Sequence, residues 1–249
     1  MDWYSEMVYK DQIQCAHTFN YFHWFLPHIN CPSKERIGHC DDGGKWVCSP
    51  HNLKQGSGHC LVYSFGSSDD FCFESDMARF GCEIHIFDPT SKEIKDKRWT
   101  YHSWGIGGRD PLVTTYWDWR TQSQSSCHGC EMKTLKETMD TLNHRNIDVL
   151  KMDVDGAEWR SFDAIFEDFE TTLPFEQLQI ETTGLDMTAK NSYRTSSWFK
   201  TMFDKYDYAL FHLETNMGTC DYRPKHEGTS TEFAFIKKSS PLIERADGL

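Results

Sequence analysis

The chain has 249 residues, and its 38 Asp and Glu against 26 Lys and Arg leave a formal net charge of -12. With a pI near 5.4, that balance argues against a nucleic-acid backbone as partner, because phosphate binding needs a basic surface. No apolar run approaches the roughly 20 residues that a bilayer span requires.

Residues 1–37 mix aromatics and histidines with few turn formers before Pro27, and read as a helical extension of one or two helices ahead of the sheet. Trp3, Tyr4, Met7, Tyr21, Phe22, Trp24 and Phe25 would pack on a core or border a pocket. Residues 38–58, rich in Gly, His and Asp, read as a loop. There Gly43 and Gly44 permit close backbone approach, Lys45 can meet a ligand carboxylate and Trp46 can close over it. The plainer alternative is a β-turn with an exposed lysine and an anchoring tryptophan.

Residues 60–90 predict a strand at 60–65, a tight turn at Gly66, a helix at 70–80 and a strand at 83–87 that ends in Asp88. An acid there can accept from both hydroxyls of a ribose, and the glycine lets the backbone approach the rest of a nucleoside cofactor. A dinucleotide turn would want G-x-G-x-x-G. Here the other two glycine positions hold Ser68 and Phe71, and Asp69 and Asp70 open the helix. Those acids would repel a pyrophosphate but suit a cation, so the turn fits S-adenosylmethionine (SAM), with its sulfonium and ammonium, better than NAD.

Further along, a strand is expected at about 99–105, an irregular insertion over 106–130 and a helix at 132–143 with Leu135, Met139 and Leu142 on one face. The run at 147–152 closes on Asp153, with Asp155 and Glu158 close behind, and the strand at 176–181 ends in Glu181. Carboxylates at strand C-termini lie where open α/β sheets bind ligands. Helices at 157–169 and 193–205 and strands at 207–213 and 231–237 complete the pattern.

Taken together, VYSFGSSDDFCFE, CEIHIFDPT, SWGIGG and DVLKMDVDGAEW, in that order and spacing, resemble class I SAM-dependent methyltransferases. The likeness is greatest to the FkbM-related group and its eukaryotic methyltransferase-like relatives, and it covers roughly residues 38–236. It implies a Rossmann-like, doubly wound seven-stranded α/β sheet closed by an antiparallel hairpin, with residues 38–249 as the catalytic domain behind the extension at 1–37. By resemblance, Phe65, Gly66 and Ser67 line the methionine end of SAM, Asp88 holds the ribose, Trp104 and Gly105 border the adenine, and Asp153 sits near the transferred methyl.

Methyl transfer from a sulfonium is an in-line displacement, so the protein must align the acceptor and, for a hydroxyl, remove a proton. Asp153, Glu181 and Asp155 are the catalytic candidates. Asp153 and Glu181 are also candidate ligands for a divalent metal that would acidify the acceptor, although Glu181-Thr182 replaces the Asp-Asn pair of metal-dependent relatives. Without metal a histidine is the natural base, and His51, His102 and His212 lie near predicted strand ends. The expected acceptor is a sugar, glycan or other small polar molecule, by analogy with sugar-modifying relatives. A protein or peptide nitrogen and a non-catalytic SAM-binding module are the alternatives.

Ten cysteines could pair in an oxidising compartment. Cys40 with Cys48 is the first candidate bridge, Cys60, Cys72 and Cys82 read as buried thiols, and Cys127-His-Gly-Cys130 is spaced like half a zinc site or a redox pair. The amino terminus shows no basic region followed by an apolar core. That implies a cytoplasmic protein or, if the chain is a trimmed piece, one of the secretory pathway.

Overall fold

The structure is a computed structural model that describes residues 26–39, 42–55, 57–91, 95–109, 114–118, 123–127, 130–182, 189–215 and 230–243. Its framework is one seven-stranded sheet. Strands β3 (Leu61–Phe65), β4 (Glu83–Phe87), β5 (Thr100–His102), β10 (Ile147–Met152) and β11 (Phe175–Thr182) form its parallel body, and β12 (Tyr208–Thr215) and β13 (Thr231–Lys237) complete it. The order is β12-β13-β11-β10-β3-β4-β5. Strand β13 runs antiparallel to both β11 and β12, while β11, β10, β3, β4 and β5 pair in parallel. The expected closing hairpin is therefore present.

Parallel strands are covered on both faces, which is why the central ones read as nearly unbroken apolar runs. All five residues of β3 are buried. Helices α1 (Cys72–Arg79), α2 (Leu135–Leu142), α3 (Glu158–Asp168) and α4 (Ala189–Lys200) supply the cover. Tyr63, Phe65, Leu150, Met152, Leu178 and Ile180 face Met139, Phe162, Ile165 and Phe199 from α2, α3 and α4. On the other face, Val62, Ile84, Ile86 and Val149 receive Phe73 and Met77 of α1.

The rest of that second face departs from the expected loop and helical extension. Residues Lys34–Ile37 (β1) and Lys45–Cys48 (β2) form an antiparallel hairpin, so 34–37 is a strand and 38–58 is not all loop. Residues 1–25 lie outside the described residues. The hairpin takes the place of a covering helix, with Cys31 and Cys48 packed on Phe211, Ala234 and Ile236. Gln177 of β11 clamps it, accepting from the Cys48 amide at 2.8 Å and donating to the Cys48 carbonyl at 2.9 Å. A β-hairpin in a Gly-rich tract carries little apolar alternation, which hid it in the sequence.

The strand expected at 99–105 breaks at Ser103. Strand β5 stays in the main sheet, whereas β6 (Trp104–Ile106) pairs with β9 (Glu131–Lys133) in a separate ribbon. The insertion contains a further hairpin, β7 (Thr114–Asp118) with β8 (Ser123–Cys127). Helix α2 starts three residues later than expected because Thr134 and Glu137 close a capping box, which satisfies the first free amides of the helix.

The cysteines also pair differently. Cys48 is bridged to Cys31, and Cys60 to Cys82, so Cys48 is not available to Cys40 and neither Cys60 nor Cys82 is a thiol. Cys130 is disulfide-bonded as well, which removes it as a zinc thiolate. Cys72 is a free thiol, as expected, but it is part-exposed rather than buried.

Candidate active site at the strand C-termini

Strands β10 and β3 lie side by side at the centre of the order, where the connections diverge to opposite edges. Open α/β sheets bind ligands in the crevice at the C-terminal ends of such a pair. Gly66 follows β3 there and Asp153 follows β10. The amide of Asp153 donates to the Phe65 carbonyl at 3.0 Å, and a Cβ on Gly66 would come within 1.7 Å of the Asp153 carbonyl oxygen. With φ at 78° as well, position 66 admits only glycine. The Gly66 carbonyl accepts from buried Lys151 at 2.7 Å. Lys151 in turn lies 4.0 Å from buried Glu74, which accepts from Ser64.

The β1–β2 hairpin brings Lys45 to the same place. Its ammonium, 1% exposed, donates to Asp153 at 2.9 Å and to Glu232 of β13 at 2.6 Å. Glu232 is the register partner of Glu181 on β11. Burial works against charge on Lys45, but Asp153, Glu232 and Glu181 hold it protonated, well above the usual lysine range. Burial also opposes ionisation of Asp153, and Lys45 and Lys151 overcome it and keep that carboxyl below its ordinary value. Glu181 and Glu232 are both pushed up, first by burial and then by neighbouring carboxylates. They hydrogen-bond to each other, the arrangement of two carboxyls that share a proton.

The carboxylate oxygens of Asp153, Glu181 and Glu232 lie within 4.8 Å of one another, a spacing that one divalent ion could bridge. Lys45 already supplies a cation there, so the ion expected on Asp153 and Glu181 would have to displace a buried ammonium. That donor set fits a resident metal poorly.

Asp155 stands at the rim, exposed, with φ at 50°. The turn that carries it is fixed by buried Glu158, which accepts from the Val154 and Gly156 amides at 3.1 and 2.9 Å. Desolvation by the surrounding protein, then the charges of Asp153, Glu181, Asp42 and Asp88, push the Asp155 carboxyl up to about 7. Such crowding is the signature of a site short of positive charge, and a ligand bearing a sulfonium and an ammonium fits it.

Asp88 is buried at the end of β4 beside the Gly66 turn, but it braces its own loop. Its Oδ2 accepts from the Ser67 and Ser68 amides at 3.0 and 2.9 Å and from Ser91 Oγ at 2.7 Å. Its Oδ1 accepts from the Thr90 and Ser91 amides and Thr90 Oγ1 at 2.8, 3.0 and 2.7 Å. Ser67 is thereby committed to Asp88. The Phe65 side chain is core, stacked on Phe87 at 4.4 Å, and only its carbonyl reaches the site. Gly105 packs on Pro89, next to Asp88, and Trp104 packs on His102 with Lys133 over its ring. Trp46 points to the hairpin face opposite Lys45, where it stacks on His212 at 4.2 Å and donates to Glu214 at 2.8 Å. It does not meet the Gly66 turn.

Of the histidine bases considered, His51 pairs with Glu35, His212 lies against Trp46 and Lys34, and His102 bonds His85. None of these contacts is with Asp153 or Asp155. Sequence reasoning missed Lys151, Glu74 and Glu232. Lys151 is a charged residue inside an otherwise apolar run, and that incongruity was the available signal there, whereas Glu74 and Glu232 each border a polar stretch and carried none.

A Rossmann-like sheet with one reversed strand, a glycine turn at its centre and carboxylates at the strand ends is the architecture of class I SAM-dependent methyltransferases. A family model described as a methyltransferase domain matches residues 2–237, and the chain belongs to that methyltransferase-domain family. It is 31% identical over 163 residues to "Probable methyltransferase-like protein 24" of Homo sapiens and to the protein of that name from Rattus norvegicus. Each match covers 61% of this chain and 42% of the relative, so the chain spans less than half the length of these proteins. The methyltransferase-like part of the sequence resemblance is thereby borne out. These matches do not speak to the FkbM-related part.

Proposed function

We propose that this domain binds SAM across the Gly66 and Asp153 turns and transfers its methyl group to a hydroxyl oxygen of a sugar, glycan or other small polar acceptor. The observation that carries the reading is the group of carboxylates at the β3–β10 junction, Asp153, Asp155, Glu181 and Glu232, which outnumber the two buried ammoniums described there, Lys45 and Lys151. The bound cofactor supplies an electrophilic methyl on a sulfonium. Asp153, held ionised by Lys45, faces that positive charge, and the Gly66 turn sets the backbone against the ligand.

Asp155 is the base. Its carboxyl titrates near neutrality, where proton transfer is most efficient, and it takes the hydroxyl proton as the acceptor oxygen bonds to the methyl carbon and the carbon–sulfur bond breaks. Lys45 stands in for the metal that related sites use. The disulfides support a domain that works in an oxidising compartment, in keeping with the secretory alternative.

The test is transfer of labelled methyl from SAM to a panel of sugars, glycans and peptides. We expect label on hydroxyl acceptors, with kcat/KM lost as the pH falls through about 7. Asp155→Asn should flatten that profile and lower kcat/KM about 100-fold or more. Label on peptide nitrogen instead would favour the protein N-methyltransferase alternative. SAM binding with no transfer to any acceptor would favour the binding module.

The same substitution should raise the melting temperature at pH 8 but not at pH 4. The folded carboxyl titrates at about 7 against about 3.9 in an unfolded chain. The native state therefore holds the proton more tightly, and stability falls as pH rises through that interval.

A further inference from the structure

At the opposite, N-terminal edge of the sheet, three imidazoles converge on one carboxylate. Glu83 opens β4, His85 follows two residues on, His59 precedes β3 and His144 follows α2. His85 Nε2 lies 2.9 Å from Glu83 Oε1, His144 Nε2 3.9 Å from the same oxygen, and His59 Nε2 2.9 Å from Oε2. One ligand atom from each of Glu83, His85 and His144 fits within 4.8 Å. Zinc–nitrogen bonds of 2.0–2.1 Å in a tetrahedron put ligand atoms about 3.3 Å apart, so these three need to close by about 1.5 Å or less, and His59, which lies outside that set and meets Glu83 through Oε2, has to swing in from the surface as the fourth ligand.

The outer contacts match this geometry. Ligating histidines nearly always have the second ring nitrogen held by another group, which fixes the tautomer and the ring orientation. Here His85 Nδ1 lies 2.9 Å from His102 Nε2, and His144 Nδ1 lies 2.7 Å from the Tyr63 hydroxyl. With Nδ1–H donating in both, the two Nε2 lone pairs point at the space beside Glu83. The Cys60–Cys82 disulfide abuts His59 and Glu83 in sequence, and the Glu83 amide donates to the Cys60 carbonyl at 2.7 Å. The backbone of two of the four residues is thus fixed before any ion arrives. His59 and Glu83 are half-exposed, so solvent reaches the cluster.

We propose that Glu83, His85, His144 and His59 form a binding site for a divalent zinc-type ion that clips the β3–β4 edge of the sheet to the end of α2. Three nitrogens and one carboxylate suit zinc among the available cations. With all four positions supplied by the protein, the site is structural. It sits one strand length from Asp88, away from the Gly66 turn, and does not depend on the methyl-transfer reading.

The test is a zinc titration of the metal-free, oxidised chain in competition with a chromogenic chelator, with cobalt as a spectroscopic stand-in. We expect one ion per chain, a visible cobalt band of four-coordinate type and a melting temperature that rises with zinc. Glu83→Gln, His144→Ala and His59→Ala should each weaken binding by about tenfold or more, while His51→Ala should not. Circular dichroism identifies any variant that fails to fold, and the exposed His59 and Glu83 positions keep the test usable if His144→Ala does. Absence of saturable binding, or binding unchanged in both Glu83→Gln and His59→Ala, would overturn the proposal. So would binding abolished by Asp153→Asn but not by Glu83→Gln, which would place the ion at the other edge.

Discussion

The two ends of the central strands solve the problem of gathering titratable groups in opposite ways. At the C-terminal edge, buried Glu181 and Glu232 and part-buried Asp153 surround a lysine of the protein's own, and a further carboxyl, Asp155, stands at the rim. At the N-terminal edge, Glu83 is half-exposed among imidazoles and has no Lys or Arg ion-pair partner among the described residues. The first edge carries an internal counter-ion and is left short of charge only at its mouth, where a cationic ligand can enter. The second is a set of imidazole nitrogens around one acid, suited to an ion from solution.

The comparison breaks most sharply at Lys45. Lys45→Met keeps the volume and removes the larger of the two charges that hold Asp153 ionised, leaving Glu181 and Glu232 without their ammonium. Deleting one partner of a buried pair costs about 3–5 kcal/mol, so urea unfolding of this variant should show a loss of that size. A loss under about 1 kcal/mol would mean that the cluster is wet and the buried ion pair of little consequence. At the other edge the corresponding staple is covalent. Replacing Cys60 and Cys82 together by alanine releases a bridge with a sequence separation of 22. By loop-closure entropy it should cost about 3 kcal/mol, measured as the shift in the unfolding free energy. The acidic edge should keep its response to Lys45→Met in that background, because distant sites add.

The sheet was legible because its strands are buried on both faces. Leu61–Phe65, Glu83–Phe87, Ile147–Met152 and Thr231–Lys237 fall almost where their apolar runs place them. The strand ends were legible wherever a motif closed a strand, as at Gly66, Asp88 and Asp153. The covering β1–β2 hairpin was not, because its strands are four residues each and lie beside a glycine-rich turn. Asp88 illustrates a different limit. Its position was clear, but whether its oxygens face a ribose or their own loop depends on Ser67, Thr90 and Ser91, which carry no pattern. Lys151 was hidden because a charge inside a buried run is uninterpretable until its partner, here Glu74 on α1, is known. The cysteines failed for the same reason: pairing is a matter of which strands lie side by side, and Cys60 and Cys82 meet only because β3 and β4 do.

The most direct measurement is calorimetric titration of the purified chain with SAM, run in parallel on Asp155→Asn and Glu83→Gln. Our account predicts one site of micromolar order, weakened about tenfold, or 1.4 kcal/mol, by loss of the Asp155 charge and unchanged by Glu83→Gln at the far edge. No saturable binding, or binding indifferent to Asp155 and sensitive to Glu83, would contradict it.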